Sequence, residues 1–417
     1  MKRRNFLTSM SALPLLSAGL PTIAATQKSQ RALIVIWLDG GMSHLDTFDG
    51  KPEAPIDIRG DLVSRESSLE GVFLSEHLPQ LSASMKHCCL VRSLTGPEGN
   101  HDRGSYHVLT GHRLSPVITH PSFGALLGHD PKRLADRNPI PSYVAIPDAH
   151  PYSRQGFLPA TRAPFELGGT PGSQGFAVRN LPPASGTDRA MTLLEKIDAL
   201  DAGPQSDAEA ARDDFLRQAR HLSLQPEARA LFDVSRETPA IRQRYGGHTF
   251  GQSCLLARRL VEGGVSTVLV RDRGWDHHRG IKSSLTFGYP AKLDAVDQAV
   301  SALREDLERS GLDQRVTVLL ASEFGRTPRL NAAGGRDHWP RASSALLFGA
   351  GLQRGVVVGT TDARGEEPIE RPVSPENLFH TVLRALDIDT DRALAAPNGR
   401  PIPIVSKDSE PISEILA

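Results

Sequence analysis

Carboxylates and imidazoles gather in five short segments of this chain, and those residue types together suit a divalent metal ion. Asp39 opens the run Asp39-Gly40-Gly41-Met42-Ser43-His44-Leu45-Asp46, and His101 stands in Gly99-Asn100-His101-Asp102, shortly before Ser105 and His107. Gly274-Trp275-Asp276-His277-His278, Ser322-Glu323-Phe324-Gly325-Arg326 and Gly335-Arg336-Asp337-His338-Trp339 complete the set. Zinc takes imidazole and carboxylate ligands, whereas manganese or calcium takes more oxygens, so any of the three fits this inventory. Asp39, Asp276, His278, Glu323 and His338 are the candidate metal ligands, and His101, His107 and Arg326 are the candidate catalytic residues. Each segment also has a bland reading. Asp39 could cap a helix, Asp276-His277-His278 could be a solvated turn, and Glu323 and Arg326 could form a structural ion pair. Asp337-His338 could be a packed loop, and His101 a satisfied residue at a helix start. Recurrence of such residues after successive strands favours a shared site.

Those segments need a scaffold that brings them together. Leu33–Leu38, Cys88–Val91, Tyr143–Ile146, Val265–Val270, Val316–Leu320 and Ala345–Phe348 are short continuous apolar runs, as expected of strands buried on both faces. Ala190–Leu200, Phe250–Glu262 and Ala291–Glu308 carry apolar residues at three- and four-residue spacing, which predicts helices between the strands. Alternation of this kind predicts an α/β fold with a mostly parallel central sheet flanked by helices. In such sheets ligands bind beyond the carboxyl ends of the strands, where the polar segments lie. Residues 31–417 read as one domain, with a helical cap or insertion at about 188–245.

Bulk properties exclude several classes. Lys plus Arg and Asp plus Glu are both 48 in 417 residues, and no basic stripe appears, which argues against nucleic-acid binding. No apolar run after the N-terminal segment reaches the ~20 residues that cross a bilayer. Residues 1–25 carry Arg3-Arg4, a short apolar stretch and a small-residue exit. They predict a twin-arginine export signal and a periplasmic or secreted protein. Cys88, Cys89 and Cys254 have no paired spacing and read as buried structural thiols.

The runs from Asp39 to Asp49, Leu109-Thr110-Gly111, Gly274-Trp275-Asp276, Glu323-Phe324-Gly325-Arg326-Thr327-Pro328 and Gly335-Arg336-Asp337-His338-Trp339-Pro340 resemble the bacterial domain-of-unknown-function family number 1501. The likeness extends from about Ala32 to Ile404. That family looks like a branch of the alkaline phosphatase and sulfatase superfamily, which implies metal ligands at strand ends. Sulfatases carry a Cys-x-Pro-Ser-Arg segment that ends in Leu-Thr-Gly. Matching that ending to Leu109-Thr110-Gly111 places His101 at the nucleophile and Ser105 at the arginine. Asp39 matches the first-strand metal aspartate, Glu323 the later aspartate, and Phe324 a second ligand that phenylalanine cannot replace.

The resemblance therefore implies a metal-dependent hydrolase of phosphate or sulfate esters, acting on a small-molecule or glycan ester. Its metal would polarise a substrate oxygen and lower the pKa of bound water towards ~7. Arg326 would grip the oxyanion, and His101 or His107 would protonate the leaving oxygen, since imidazole titrates near ~6.5. Formylglycine chemistry is excluded at His101. That residue is open to three readings: a nucleophile, a metal ligand, or the remnant of a site that binds without catalysis. The alternative function is accordingly a non-catalytic exported binding protein with a degenerate sulfatase-like site.

Overall fold

The structure is a computed structural model that describes residues 30–417 apart from 135–139, 283–287 and most of 174–224. The predicted export signal and the predicted helix Ala190–Leu200 lie outside the described residues, as does most of the predicted cap. Its described end carries two short helices, Pro226–Leu231 and Pro239–Arg244.

Ten strands matter for the site: β1 (Ala32–Asp39), β2 (Cys89–Leu94), β3 (Tyr143–Ile146), β4 (Phe165–Glu166), β5 (Thr267–Arg273), β6 (Val316–Ala321), β7 (Gly325–Arg326), β8 (His338–Trp339), β9 (Ser343–Gly349) and β10 (Val356–Val358). Eight form one sheet in the order β10-β2-β9-β6-β1-β5-β3-β4. Only β9 runs against its neighbours in this sheet; the other pairings are parallel. The expected mostly parallel sheet is thus observed, with one reversed strand. β7 and β8 pair separately as a small antiparallel hairpin.

Side chains alternate across a strand, and β1 shows what this does in a sheet covered on both sides. Ala32, Ile34, Ile36 and Leu38 enter one apolar cluster, and Leu33, Val35 and Trp37 enter the other. Helices α3 (Thr249–Glu262) and α4 (Tyr289–Ser310) cover the first face. Helices α1 (His101–Thr110), α2 (Phe123–Gly128) and α5 (Pro375–Ala385) cover the second. The ends of α4 follow local chemistry: Pro290 fits the first turn, where its missing N–H is not needed, and Gly311 takes the left-handed cap at φ 70°. Cys88, Cys89 and Cys254 are free and buried. Burial pushes the Cys88 and Cys89 thiols up to about 12, so they stay protonated and inert. No described helix is long and apolar enough to cross a membrane.

Candidate metal site

β1, β5 and β6 end side by side, because Trp37 pairs with Arg271 on one flank and with Ala321 on the other. The turn after β1 then passes very close to the turn after β5. A Cβ on Gly40, whose φ is +128°, would stand 2.5 Å from the Asp276 backbone nitrogen. Only glycine permits that approach and that dihedral. Trp275 anchors the second turn: it is fully buried, its backbone N–H donates to the Asp39 carbonyl (3.2 Å), and its indole N–H donates to Asp272 (2.8 Å). Asp276 is left at the rim.

Three histidines meet it there. His101 is the first residue of α1, whose start is capped by Asn100 accepting from the Arg103 N–H (3.3 Å). His338 comes from β8, opposite Arg326 of β7, and His278 follows Asp276. Nε2 of His278 lies 2.9 Å from Asp276 Oδ1, and Nε2 of His338 lies 3.4 Å from the same oxygen. Nε2 of His101 lies 3.5 Å from Asp276 Oδ2. One ligand atom each from His101, Asp276 and His338 falls within 4.8 Å of the others.

The Nδ1 side of every ring is held by an acceptor. His101 Nδ1–H donates to Glu323 Oε1 at 2.7 Å, His278 Nδ1–H to Asp337 Oδ1 at 2.7 Å, and His338 Nδ1–H to the Gly99 carbonyl at 2.9 Å. A carbonyl or an ionised carboxylate can only accept, so each neutral ring turns an Nε2 lone pair toward Asp276. Two of those atoms, on His278 and His338, are 3.1 Å apart. Facing lone pairs at that distance repel unless a proton or a cation lies between them. The donor set therefore fits a metal ion, and the outer acceptors orient each ring as metal-binding histidines require.

Electrostatics agree with this division. The hydrogen bond to Glu323 raises the His101 pKa against the opposing effect of burial. Burial pushes Glu323 up, but the bonds from His101 and Ser322 outweigh it and hold the carboxyl low. Burial also opposes ionisation of Asp276, but Arg326, His278 and His101 together outweigh it and hold the carboxyl low. His278 holds Asp337 low, and burial lowers His338.

Not every expected residue joins the cluster. The Asp39 carboxylate turns to Arg271, whose Nε lies 2.7 Å from Oδ2. Glu323 is an outer partner of His101 and also accepts from the Gly40 N–H (3.0 Å) and the Ser322 hydroxyl (2.8 Å). Arg326 is buried, and its fork is filled by the protein itself. It donates to the carbonyls of Gly41 (2.7 Å), Gly40 and Arg336 (3.1 Å) and to Asp276 (2.5 Å), and its Nη1 stands 3.5 Å from Nε2 of His278. An arginine so engaged positions the Gly40-Gly41 turn and Asp276, and has no fork to offer a substrate oxyanion. Phe324 packs against the rings of His101 and His338 at 5.1 and 4.8 Å between centroids.

His107 lies elsewhere. It is buried two turns along α1, and its Nε2 is 2.7 Å from Glu376 Oε1 at the start of α5. Burial pushes the Glu376 carboxyl up, but His107, with hydrogen bonds from the backbone and Ser374, outweighs this and brings its pKa down to about 2 from an ordinary 4.5. Between those values the unfolded chain binds the extra proton, so the pair stabilises the fold fully above pH 4.5 and progressively less as pH falls towards about 2. Glu376→Gln is expected to flatten this acid limb in thermal melts across that window. An unchanged slope would remove His107 and Glu376 as its source.

Two residues that hold the rim lie outside the expected ligand and catalytic sets, Asp337 and Arg271. A carboxylate next to a candidate histidine was the available signal for Asp337. For Arg271 it was a charged residue immediately after the apolar run Val265–Val270.

A family model described as "Protein of unknown function (DUF1501)" matches residues 30–416. A comparison with the curated proteins finds no match. Among solved structures, the chain is similar to the lipoteichoic acid synthase LtaP from Listeria monocytogenes, at 11% identity over 93% of this chain and 76% of that one, with a TM-score of 0.43. It is also similar to the PsFucS1 sulfatase from Pseudoalteromonas sp., at 14% identity over 88% and 70%, TM-score 0.36. The alkaline phosphatase from the Antarctic bacterium TAB5 matches at 11% identity over 86% and 99%, TM-score 0.35.

Proposed function

For a chain that belongs to the DUF1501 family, we propose the function of an exported, divalent-metal-dependent hydrolase of phosphate or sulfate esters. One observation carries it: three imidazoles, each anchored through Nδ1, turn Nε2 onto a single carboxylate, Asp276. Three nitrogens and one carboxylate favour zinc among the three metals considered, because calcium takes six to eight oxygens. His101, His278, His338 and Asp276 would hold the ion, which when bound would supply Lewis-acid polarisation of an ester oxygen and activation of water.

The chain's own residues do the rest. Glu323, Asp337 and the Gly99 carbonyl set the tautomer and aim of each ring. Arg326 holds Asp276 against the Gly40-Gly41 turn, and Phe324 walls one side with an apolar ring. His101 acts in this reading as a ligand rather than a nucleophile, since Glu323 fixes its Nδ1–H and its Nε2 faces Asp276. The side chains of His101, Asp276 and His278 keep 37%, 43% and 42% of their surface exposed, which leaves the cluster open to a small-molecule or glycan ester. Export rests on the paired arginines near the start of the chain.

The test is to equilibrate purified protein with zinc, remove the excess, measure bound metal, and assay aryl phosphate and aryl sulfate esters. Zinc occupancy and turnover are expected to fall together in His338→Ala. Full occupancy in that variant would sink the assignment. The engagement of Arg326 by the protein itself favours a second reading, an exported metal-binding protein without turnover, and bound zinc with neither ester hydrolysed would establish it. Glu323→Ala is expected to raise the zinc Kd about 10–100-fold, the usual loss when an outer partner of a metal-binding histidine is removed. Competition with a chromophoric chelator reads this directly, and an unchanged Kd would take Glu323 out of the metal site.

A further inference from the structure

Asp39 ends β1 beside β5, where Trp37 stands opposite Arg271 and Asp39 opposite Arg273. Side chains alternate along each strand, so Asp39 and Arg271 share a sheet face as diagonal neighbours. From there Arg271 reaches Asp39 Oδ2 with Nε at 2.7 Å and Nη2 at 2.5 Å, and Asp148 Oδ1 with Nη1 at 3.0 Å. Arg273 also donates to Asp148, at 2.7 Å. His150 completes the group. The Tyr152 backbone N–H donates to His150 Nδ1 (3.2 Å), so the neutral ring carries its proton on Nε2, which stands 3.8 Å from Asp39 Oδ1.

Two carboxylates and a nearby imidazole are donor types that hold divalent ions. Here the two carboxylates are bridged by a guanidinium, which keeps its charge at any ordinary pH. This half of the rim is tied to the His101 cluster through one turn, because the Gly40 N–H donates to Glu323 (3.0 Å). The resemblance to metal-dependent esterases implies an ion at Asp39, and the observed partner of Asp39 does not fit that.

We propose that Arg271 is a resident cation in the Asp39 half of the rim, so that no divalent ion binds there. Its guanidinium bridges Asp39 and Asp148, with His150 beside Asp39, in the place where the resemblance implies a metal ion. A guanidinium balances the carboxylates but has no open coordination position, so among the described residues metal chemistry falls to the Asp276 cluster. This does not depend on whether that cluster supports hydrolysis.

Full-length protein equilibrated with zinc, desalted and measured by native mass spectrometry gives the ion count. Parent and Asp39→Asn are expected to carry the same number of ions. Arg271→Met, which keeps most of the side chain's length without its charge, is expected to gain one ion over the parent, and Arg271→Lys none. The gain is expected to vanish when Asp39→Asn is added to Arg271→Met. A parent holding one ion more than Asp39→Asn overturns the proposal, and so does a folded Arg271→Met with the parent's count. If circular dichroism shows that Arg271→Met does not fold, the comparison of parent with Asp39→Asn decides alone. A parent without zinc whose Arg271→Met variant gains one ion supports the proposal and overturns the metal assignment at Asp276, so the two fail separately.

Discussion

Asp276→Asn is expected to weaken zinc binding by more than the ~10–100-fold that follows loss of an outer partner, and to reduce ester turnover to background. Asp276 is the one carboxylate onto which the three Nε2 atoms converge, at 2.9, 3.4 and 3.5 Å. It is also the only negative charge among the four proposed ligands. An asparagine keeps the shape and can still accept from Arg326 through its carbonyl, but it removes the charge that draws a cation between imidazoles. The fold is expected to survive, because Arg326 retains the carbonyls of Gly40, Gly41 and Arg336 as acceptors. Calorimetric zinc titration beside a melting curve separates the two effects. An unchanged zinc affinity in a folded variant would show that the imidazoles do not meet at a metal.

A second large effect is expected below the site. Arg336 and Asp46 form an ion pair with side-chain exposures of 0% and 1%. Arg336 Nε lies 2.6 Å from Asp46 Oδ2 and Nη2 3.2 Å from Oδ1. Its remaining donors reach the carbonyls of Ile58 (2.8 Å), Thr327 (3.1 Å) and Pro328. The Ser43 hydroxyl adds a 2.5 Å bond to Asp46. Removing one member of such a pair strands a charge in the interior, which costs about 3–5 kcal/mol. Asp46→Ala is therefore expected to lose stability on that scale in urea unfolding. Zinc affinity should weaken as well, because Arg336 pins the segment that carries Asp337 and His338. Asp46→Leu combined with Arg336→Met is expected to be less destabilised than either single change, since replacing both members with apolar groups leaves no stranded charge. A loss under about 1 kcal/mol for Asp46→Ala would mean that water reaches Arg336 in place of the carboxylate.

Much of the architecture was legible in the chain. β1 reads as an unbroken apolar run because a strand covered on both faces has no polar side to show. The amphipathic spacing of α3 and α4 is local in the same way, and so are the proline and glycine that bound α4. Residue types at the rim were legible too: Asp276, His278 and Glu323 follow long strands, His101 opens α1, and His338 lies in the short β8.

The partner of each charged group was not legible. Asp39 pairs with Arg271 because β1 and β5 are neighbours in one register, and a shift of one residue would have turned Arg271 to the other face. Arg326 faces inward because β7 pairs with β8, a contact no local pattern encodes. His107 meets Glu376 only because α1 and α5 lie on the same face of the sheet. Sequence alone determined the long central strands, the helices α3 and α4 and the chemical groups that follow those strands, since these follow from periodicity and residue type within a few positions. Tertiary structure alone decided which carboxylate meets imidazole and which meets guanidinium. That depends on strand order and register, and both are set by packing between segments far apart in the chain.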